Sequence, residues 1–288
     1  MFENYKKYYL SFLVIFILLI DLYVFSLNLK EGDNRLVFAM FDIGQGDALY
    51  IKSPTGTEIL FDGGPPKKII GQLQQVMSPF DKNIDAIVIT NPDADHISGF
   101  LDILKNYKVD KMFEPGTLND SKTYQNIKNE IRKQNILDIL ARKGMRLDIG
   151  GGAVIDILFP DRDVFDWSTN DGSMVAKLTY GNNSIMLTGD ATRKTEKIIL
   201  REFSKNALKS TILKVGHHGS RTSTSEEFMQ AVLPTYALIS DGRNNKYGHP
   251  HLETLDILNQ FGVNILRTDL LGTIIIKCDR ILECEINK

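Results

Sequence analysis

The sequence predicts an α/β domain that follows an N-terminal membrane-spanning helix. Three observations support the α/β class. The composition is that of a globular protein, with 43% hydrophobic and 24% charged residues. Short runs rich in β-branched and aromatic residues are separated by glycine and proline turns, and later in the chain helical and strand patterns alternate. Two packed sheets with outer helices fit this pattern, as does one sheet with an antiparallel edge.

The N-terminal segment is predicted to cross a membrane. From Tyr8 to Leu29 the only charged residue is Asp21. A helix of this length reaches about 33 Å, which spans a bilayer core. Because Lys6 and Lys7 precede the apolar stretch, we expect the N-terminus inside and the rest of the chain outside the membrane.

A cleaved signal peptide is the alternative interpretation of this segment. The apolar run Leu10–Ile20 has the length of a signal-peptide core, and Val24-Phe25-Ser26 is a tolerable cleavage site. A buried core helix is disfavoured because the helix is apolar on every face. We therefore predict an anchor or signal peptide over residues 1–30, a polar linker over 30–34, and one domain over 35–288.

The first part of this domain is predicted to open as a meander of strands. The turn signals Gly44-Gln45-Gly46 and Pro54-Thr55-Gly56 separate the first three strands. Predicted strands cover Leu36–Asp42, Ala48–Ser53, Thr57–Asp62 and Asp85–Thr90. Predicted helices cover Lys67–Val76, Ile97–Tyr107 and Tyr124–Lys143, the last supported by the spacing of its isoleucines.

The second part is predicted to alternate strands and helices. Predicted strands cover Val154–Phe159, Met174–Tyr180, Ser184–Leu187, Ile212–Val215, Ala237–Ser240 and Val263–Leu266. Predicted helices cover Thr192–Phe203, Ser225–Val232 and Leu252–Phe261. The C-terminal stretch GTIIIKCDRILECEIN reads as two short strands around Asp279-Arg280. In such a hairpin Cys278 and Cys284 do not face each other, so we predict free thiols.

Two function classes receive no support. The formal net charge is −2, so bulk electrostatics do not favour non-specific binding of nucleic acid. The Gly44-Gln45-Gly46 turn resembles part of a dinucleotide fingerprint, but Leu49 occupies the third glycine position and a strand follows instead of a helix.

The chain's five histidines all lie in short loops flanked by glycine or proline, in DADHISG, VGHHGS and YGHPH. Loops with acids or histidines directly follow the apolar strand runs DAIVIT, SIML and TILKV. If the sheets align these strand ends, carboxylates and imidazoles converge, and a cation is the simplest compensation for such a cluster. The converging residues are Asp93, Asp95, His96, Asp190 and His217.

These motifs resemble those of the metallo-β-lactamase superfamily, and more closely the hydrolase domain of ComEC-type competence proteins. The chain has FDIGQGDALY, FDGG, TNPDADH, MLTGD, GHHGS and KYGHPH in the family's order. The resemblance implies a four-layer αββα sandwich with a two-metal site at one edge. It also implies a hydrolase, usually one that cleaves phosphodiester bonds.

The resemblance also implies roles for individual residues. Asp95 and His96 are expected to bind one metal ion and Asp93 the other, with Asp190 bridging the two. His217 is expected to complete a metal shell, and His218 is the alternative for that role.

Two positions depart from the superfamily pattern. Asn91 stands where the superfamily has a histidine, and an amide oxygen is a weaker ligand than imidazole. A second histidine, expected before the bridging aspartate, is also missing. The matching region NDGSMVAKL offers Asn170, Asp171 and Ser173. The remaining ligands are rich in oxygen, so two Mn²⁺ or Zn²⁺ ions are expected, with the ion near Asn91 bound more weakly.

Asp95 and His249 are the predicted catalytic residues, with His249 expected to donate a proton to the leaving oxygen or to bind a phosphoryl oxygen. Asp47 is expected to hydrogen-bond a ligand histidine, and His251 to lie at the start of a helix. The predicted substrate is a phosphodiester, either DNA or a cell-wall polymer, and no obligate protein partner is implied. The alternative is a binding module of the same fold that keeps metal but has lost turnover.

Overall fold

The computed structural model describes residues 2–31 and 35–287, with first-helix side chains described at residues 8, 9 and 11–23. The chain divides into two compact units, Met1–Asn34 and Arg35–Lys288. Linker residues 32–34, and the side chains of the predicted basic flank and cleavage site, lie outside the described residues.

The first unit contains helix α1 (Phe2–Glu31). Its described apolar side chains, from Phe12 to Tyr23, are exposed. Among the described residues, no helix combines the length and the apolar character needed to span a membrane. The predicted transmembrane helix is therefore not confirmed.

The second unit is built from strands and short helices. The described strands are β1 (Leu36–Met40), β2 (Leu49–Lys52), β3 (Glu58–Phe61), β4 (Asn83–Val88), β5 (Lys108–Glu114), β6 (Leu137–Leu140), β7 (Arg146–Gly150), β8 (Ala153–Phe159), β9 (Val175–Tyr180), β10 (Asn183–Leu187), β11 (Ile212–Lys214), β12 (Tyr236–Ile239), β13 (Asn264–Arg267), β14 (Ile274–Cys278) and β15 (Glu285–Asn287). The described helices are α2 (Ile69–Leu73), α3 (Ala94–Ile97), α4 (Phe100–Asn106), α5 (Lys122–Lys133), α6 (Arg193–Glu202), α7 (Lys205–Leu208), α8 (Glu226–Val232), α9 (Leu252–Gln260) and α10 (Thr268–Leu271).

The strands form two mixed sheets. The first sheet has the order β15-β14-β1-β2-β3-β4-β5-β6, and the second has the order β13-β12-β11-β10-β9-β8-β7. Parallel pairs join β3 to β4 in the first sheet and β10, β11 and β12 in the second. Because the carboxyl ends of parallel strands meet at one edge of a sheet, the loops that follow these strands are grouped there.

Three apolar layers hold the sheets and helices together. Between the sheets, Phe38 and Phe61 of the first sheet belong to one buried cluster with Ile155 and Leu187 of the second. Alternate side chains of each strand point outward. They pack against α2–α5 on the first sheet and against α6, α8 and α9 on the second. Helices thus cover both outer faces, and the αββα sandwich is confirmed.

The helix predicted over Tyr124–Lys143 is wrong in its second half. Helix α5 ends at Lys133, and Asn135 adopts a positive φ of 55°. This left-handed conformation stops the helix. The chain then forms edge strand β6, which pairs in parallel with β5. Ile139 belongs to this strand and packs against the cluster between the sheets. The isoleucine spacing is thus compatible with a helix, but the second half of this segment forms a strand because its apolar side chain packs between the sheets.

The prediction of free thiols is also wrong. Cys278 and Cys284 form a disulfide with a Cα–Cα distance of 4.1 Å. In the pairing of β14 with β15, Lys277 is opposite Glu285, so the next positions along the ladder are the two cysteines. The sequence pattern predicts a turn at Asp279-Arg280, which is too early in the chain. The actual turn is longer and brings the two cysteines face to face.

The disulfide is expected to stabilise the domain by roughly 2 kcal/mol, because it closes a short loop in the unfolded chain. Reduction should lower the free energy of unfolding of the wild-type protein by that amount in urea titrations. In a Cys278→Ala/Cys284→Ala variant, the reductant should have no effect. Two thiols that react with a thiol probe in the folded, unreduced protein would contradict the assignment.

Candidate metal centre

His96 lies at the centre of the site and is fully buried in α3. Its Nδ1 lies 2.9 Å from Asp62 Oδ2, after β3, and its Nε2 lies 3.1 Å from Asp190 Oδ2, after β10. The backbone N–H and the hydroxyl of Thr90 donate to the Asp62 carboxylate at 2.8 and 2.5 Å. Burial lowers the pKa of His96, but the carboxylates of Asp190 and Asp62 outweigh burial and raise that pKa well above its usual value. Asp62 accepts the proton on Nδ1, so Nε2 faces Asp190 and is the nitrogen that a metal ion would take in place of a proton.

Asp190 is held at the end of a strand by a tight turn. Its backbone N–H donates to Ser173 Oγ at 2.9 Å, and its side chain is almost fully buried. The preceding Gly189 has a φ of 50°, and a Cβ there would lie 2.5 Å from Ser173 Oγ. The TGD motif therefore needs glycine, since a larger residue would displace the turn that positions Asp190.

The two adjacent histidines of GHHGS point to different places. Both have a positive φ, 49° at His217 and 54° at His218. The side chain of His217 is 23% exposed, and its Nε2 lies 3.7 Å from Asp190 Oδ2. His218 is buried, and its Nε2 lies 3.6 Å from both Asp95 Oδ2 and Asp190 Oδ1. The Ser240 carbonyl lies 2.9 Å from His218 Nδ1 and orients the ring.

These residues make a candidate metal-binding cluster. Asp95, His96 and His218 each offer a ligand atom, and the three atoms lie within 4.8 Å of one another. His96 Nε2, His218 Nε2 and Asp190 Oδ1 are buried and have no hydrogen-bond partner among the described residues. Buried polar atoms are rarely left in this state. A divalent cation bound among Asp95, His96 and His218 would satisfy both imidazole nitrogens, and Asp190 belongs to an equally close group with Asp47 and His218. The residues present therefore fit a metal ion.

The electrostatics of the cluster also favour positive charge. Burial lowers the pKa of His218, but the carboxylates of Asp190 and Asp47 outweigh burial and raise that pKa to about 10. Burial likewise opposes ionisation of Asp190, yet His96 and His218 hold its pKa well below the usual value. Protons and a metal ion are therefore alternative sources of the positive charge that this site attracts.

The residues around Asn91 are arranged differently. The side-chain N–H of Asn91 donates to Asn170 Oδ1 at 2.7 Å, and Asn91 Oδ1 accepts from the Asp93 backbone N–H at 3.0 Å. Thr169 Oγ1 donates to Asp93 Oδ2 at 2.9 Å. Among the described residues, neither Asp93 nor His217 joins a group of three close acidic or imidazole ligands.

Asp47 is buried next to the cluster and forms an ion pair with Lys214, a residue that was not predicted to belong to the site. Lys214, in β11, is fully buried and forms an ion pair with Asp47 Oδ2. Its Nζ also donates to the Gly189 carbonyl at 3.0 Å. Asp47 Oδ1 lies 3.4 Å from His218 Nδ1 but has no hydrogen-bond partner among the described residues, so the predicted hydrogen bond to a ligand histidine stays a prediction. The signal for Lys214 was present, because it is the charged residue of an otherwise apolar strand directly before GHHGS.

His249 lines the outer side of the site. Its ring centroid lies 5.6 Å from that of His217 and 6.2 Å from that of His218, and Tyr247 stacks on it at 5.7 Å. Burial and the neighbouring imidazoles lower the pKa of His249 to about 4, so its ring is neutral near pH 7. His251 lies at the N-terminal end of α9, as the sequence predicts.

Removal of the Lys214 ammonium should destabilise the fold. Lys214→Met leaves the carboxylate of Asp47 buried without its partner, and we expect a loss of about 3–5 kcal/mol in the free energy of unfolding. Lys177→Met is a matched control, because Lys177 also lies in the second sheet but away from the cluster. Its Nζ donates to the carbonyls of Ala207 and Lys209. That control should lose about 1 kcal/mol.

Urea titrations of both variants and of Asp47→Asn/Lys214→Met measure these losses. The double variant should recover part of the stability, since no buried charge is left unpaired. A Lys214→Met variant no less stable than Lys177→Met would show that the ion pair has no structural role.

Comparisons with known sequences agree with this geometry. The sequence profile described as the metallo-beta-lactamase superfamily matches residues 41–240. ComE operon protein 3 of Bacillus subtilis (strain 168) is 30% identical over 270 residues, which cover 88% of this chain and 34% of that protein. Competence protein ComA of Neisseria gonorrhoeae is 28% identical over 245 residues, which cover 84% and 32%. The chain thus spans about a third of the length of these relatives.

A solved structure has the same fold. YhfI from Bacillus subtilis, a metallo-beta-lactamase fold protein, superposes with a TM-score of 0.54 at 12% identity, covering 80% of this chain and 96% of that one. At this identity the likeness concerns the fold alone. The profile match and the candidate metal-binding cluster support a metal-dependent hydrolase similar to competence proteins. The chain belongs to the metallo-β-lactamase superfamily.

Proposed function

We propose that the Arg35–Lys288 unit is a metal-dependent phosphodiesterase. The observation that carries this proposal is the convergence of three buried ligand atoms that make no hydrogen bond among the described residues, His96 Nε2, His218 Nε2 and Asp190 Oδ1. Buried polar atoms are normally hydrogen-bonded. Imidazole nitrogens and carboxylate oxygens that approach each other without hydrogen bonds, as His96 Nε2 and Asp190 Oδ2 do at 3.1 Å, are typical of a site that takes up a cation.

The residues that hold the ion are Asp95, His96, Asp190 and His218, hereafter the metal cluster. His218 takes the role first expected of His217, because its Nε2 faces both carboxylates of the cluster. Two carboxylates and two imidazoles suit Mn²⁺, with Zn²⁺ as the alternative.

A divalent ion in the cluster would supply Lewis-acid activation of water and stabilise charge on the phosphoryl group. The chain's own residues prepare for this. Asp62 holds the tautomer of His96, while Lys214 and Asp47 hold the TGD and GHHGS turns in place. The ring of His249 at the outer side is neutral near pH 7, so it can donate an N–H hydrogen bond to a phosphoryl oxygen but cannot supply the proton to the leaving oxygen that the sequence predicted for it.

We propose a nucleic-acid substrate, with two observations in its support. DNA is the first candidate, because a relative of this chain is named as a competence protein. At the outer side, Lys246 lies over the exposed ring of Tyr247 at 5.1 Å, whereas Arg221 is ion-paired with Glu253 at 3.5 Å. A cation beside an exposed aromatic ring suits a polymer with phosphates and bases. Hydrolysis of a cell-wall phosphodiester in place of DNA is the alternative outcome of a substrate screen.

We propose that the unit works outside the cytoplasmic membrane and is held there by α1. The exposed apolar side chains from Phe12 to Tyr23 support attachment to lipid. The Cys278–Cys284 disulfide supports an oxidising compartment, because disulfides seldom persist in the cytosol.

Asp95→Asn and Asp190→Asn should each reduce hydrolysis of bis-p-nitrophenyl phosphate by more than about 100-fold, because each removes a charged ligand. Circular dichroism should show an unchanged fold. Asp256→Asn, at an exposed position on α9, is the control and should keep full activity. Full activity in either cluster variant would refute the assigned site. No turnover with Mn²⁺ or Zn²⁺, in wild type and in Asn91→His alike, would favour the metal-binding module.

Cell fractionation tests the location. The full chain should sediment with membranes. When protease is added to cells whose cytoplasmic membrane is accessible from outside, it should digest the chain. A variant lacking residues 1–34 should lose membrane association. Protection of the full chain from external protease would contradict an extracellular catalytic unit.

A further inference from the structure

The two halves of the metal centre differ in how their buried atoms are satisfied. On the side of His218, buried ligand atoms of His96, Asp190 and His218 have no hydrogen-bond partner among the described residues. Asp95 Oδ2 also approaches His218 Nε2, at 3.6 Å. Unpaired buried polar atoms cost free energy. This half therefore gains from one bound cation.

On the side of Asn91, the buried amide is already paired. Its N–H donates to Asn170 Oδ1 at 2.7 Å, and its Oδ1 accepts the Asp93 backbone N–H at 3.0 Å. The Asp93 N–H fixes this amide orientation, because only the oxygen of Asn91 can accept it. A cation on this side would compete with that hydrogen bond and would gain only a neutral amide oxygen, a weak ligand.

Asn170 is the hydrogen-bond partner of Asn91 on this side of the centre. The NDGSMVAKL segment offered three polar residues in place of the missing histidine, and the structure separates them. Ser173 Oγ accepts the backbone N–H of Asp190 at 2.9 Å, and Asp171 binds side chains at the start of α6. Of the three, Asn170 contacts Asn91. Asn91, which stands where the superfamily has a histidine, thus hydrogen-bonds to a residue of the segment that lacks the second one.

We infer that the chain holds one resident divalent ion, in the metal cluster, and that the hydrogen-bonded amides of Asn91 and Asn170 occupy the place of a second ion. The inference rests on the proposed function, because it concerns the same centre. Asp93 and His217 remain on this side, but Asp93 already accepts from Thr169. A second ion therefore binds weakly and is lost on dialysis.

Metal analysis of the full chain tests this inference. The protein is stripped with chelator, loaded with Mn²⁺ and dialysed before manganese per chain is measured. Wild type should retain about one ion, and Asn91→His/Asn170→His, which supplies two imidazoles, should retain about two. Asn106→His, at the exposed end of α4, controls for an added histidine and should retain about one.

Electron paramagnetic resonance gives a second readout that needs no variant. Mn²⁺-loaded wild type should give the spectrum of isolated ions. A spin-coupled pair, or two retained ions of similar affinity, would overturn the inference while leaving the hydrolase proposal intact. A wild-type chain that retains no Mn²⁺ and has no turnover would overturn the proposed function, and the inference with it.

Discussion

One edge of the sandwich determines both the fold and the site, because buried charges from the two sheets meet there. His96 follows β4 of the first sheet, and its Nε2 lies 3.1 Å from Asp190, which follows β10 of the second. Lys214 and Asp47 make a second buried contact between a strand of one sheet and a loop of the other. A buried charge without a partner is strongly destabilising. The same contacts that align the sheets therefore align the ligands, so stability and metal binding are coupled.

The sequence contained most of the information needed for the fold. Apolar runs that end in acids, histidines and glycine predicted that several strand tips meet, and the structure groups those loops at one edge. Two local errors have physical causes. The isoleucine spacing of residues 124–143 fits a helix, but Asn135 stops α5 and β6 completes the sheet. The pairing of Cys278 with Cys284 depends on where the hairpin turns, which periodicity does not specify.

The details of the site were less accessible, because they depend on contacts between distant residues. His217 and His218 are adjacent in sequence, and only the packing of the second against the Ser240 carbonyl separates their roles. Asn91 and Asn170 are 79 positions apart, so no local pattern links them. The proposed metal cluster combines two carboxylates with two imidazoles, and the amide pair of Asn91 and Asn170 lies beside it. In this proposal, the number of bound ions depends on which buried ligand atoms lack a hydrogen bond.

Anomalous diffraction from crystals of the protein grown with Mn²⁺ would locate the bound ion. We expect a manganese peak at the edge where the sheets meet, within bonding distance of His96 Nε2 and of an oxygen of Asp190. We also expect that these two side chains no longer contact each other directly. A strongest peak elsewhere on the molecule, with His96 and Asp190 still in contact, would show that the metal cluster is wrongly assigned.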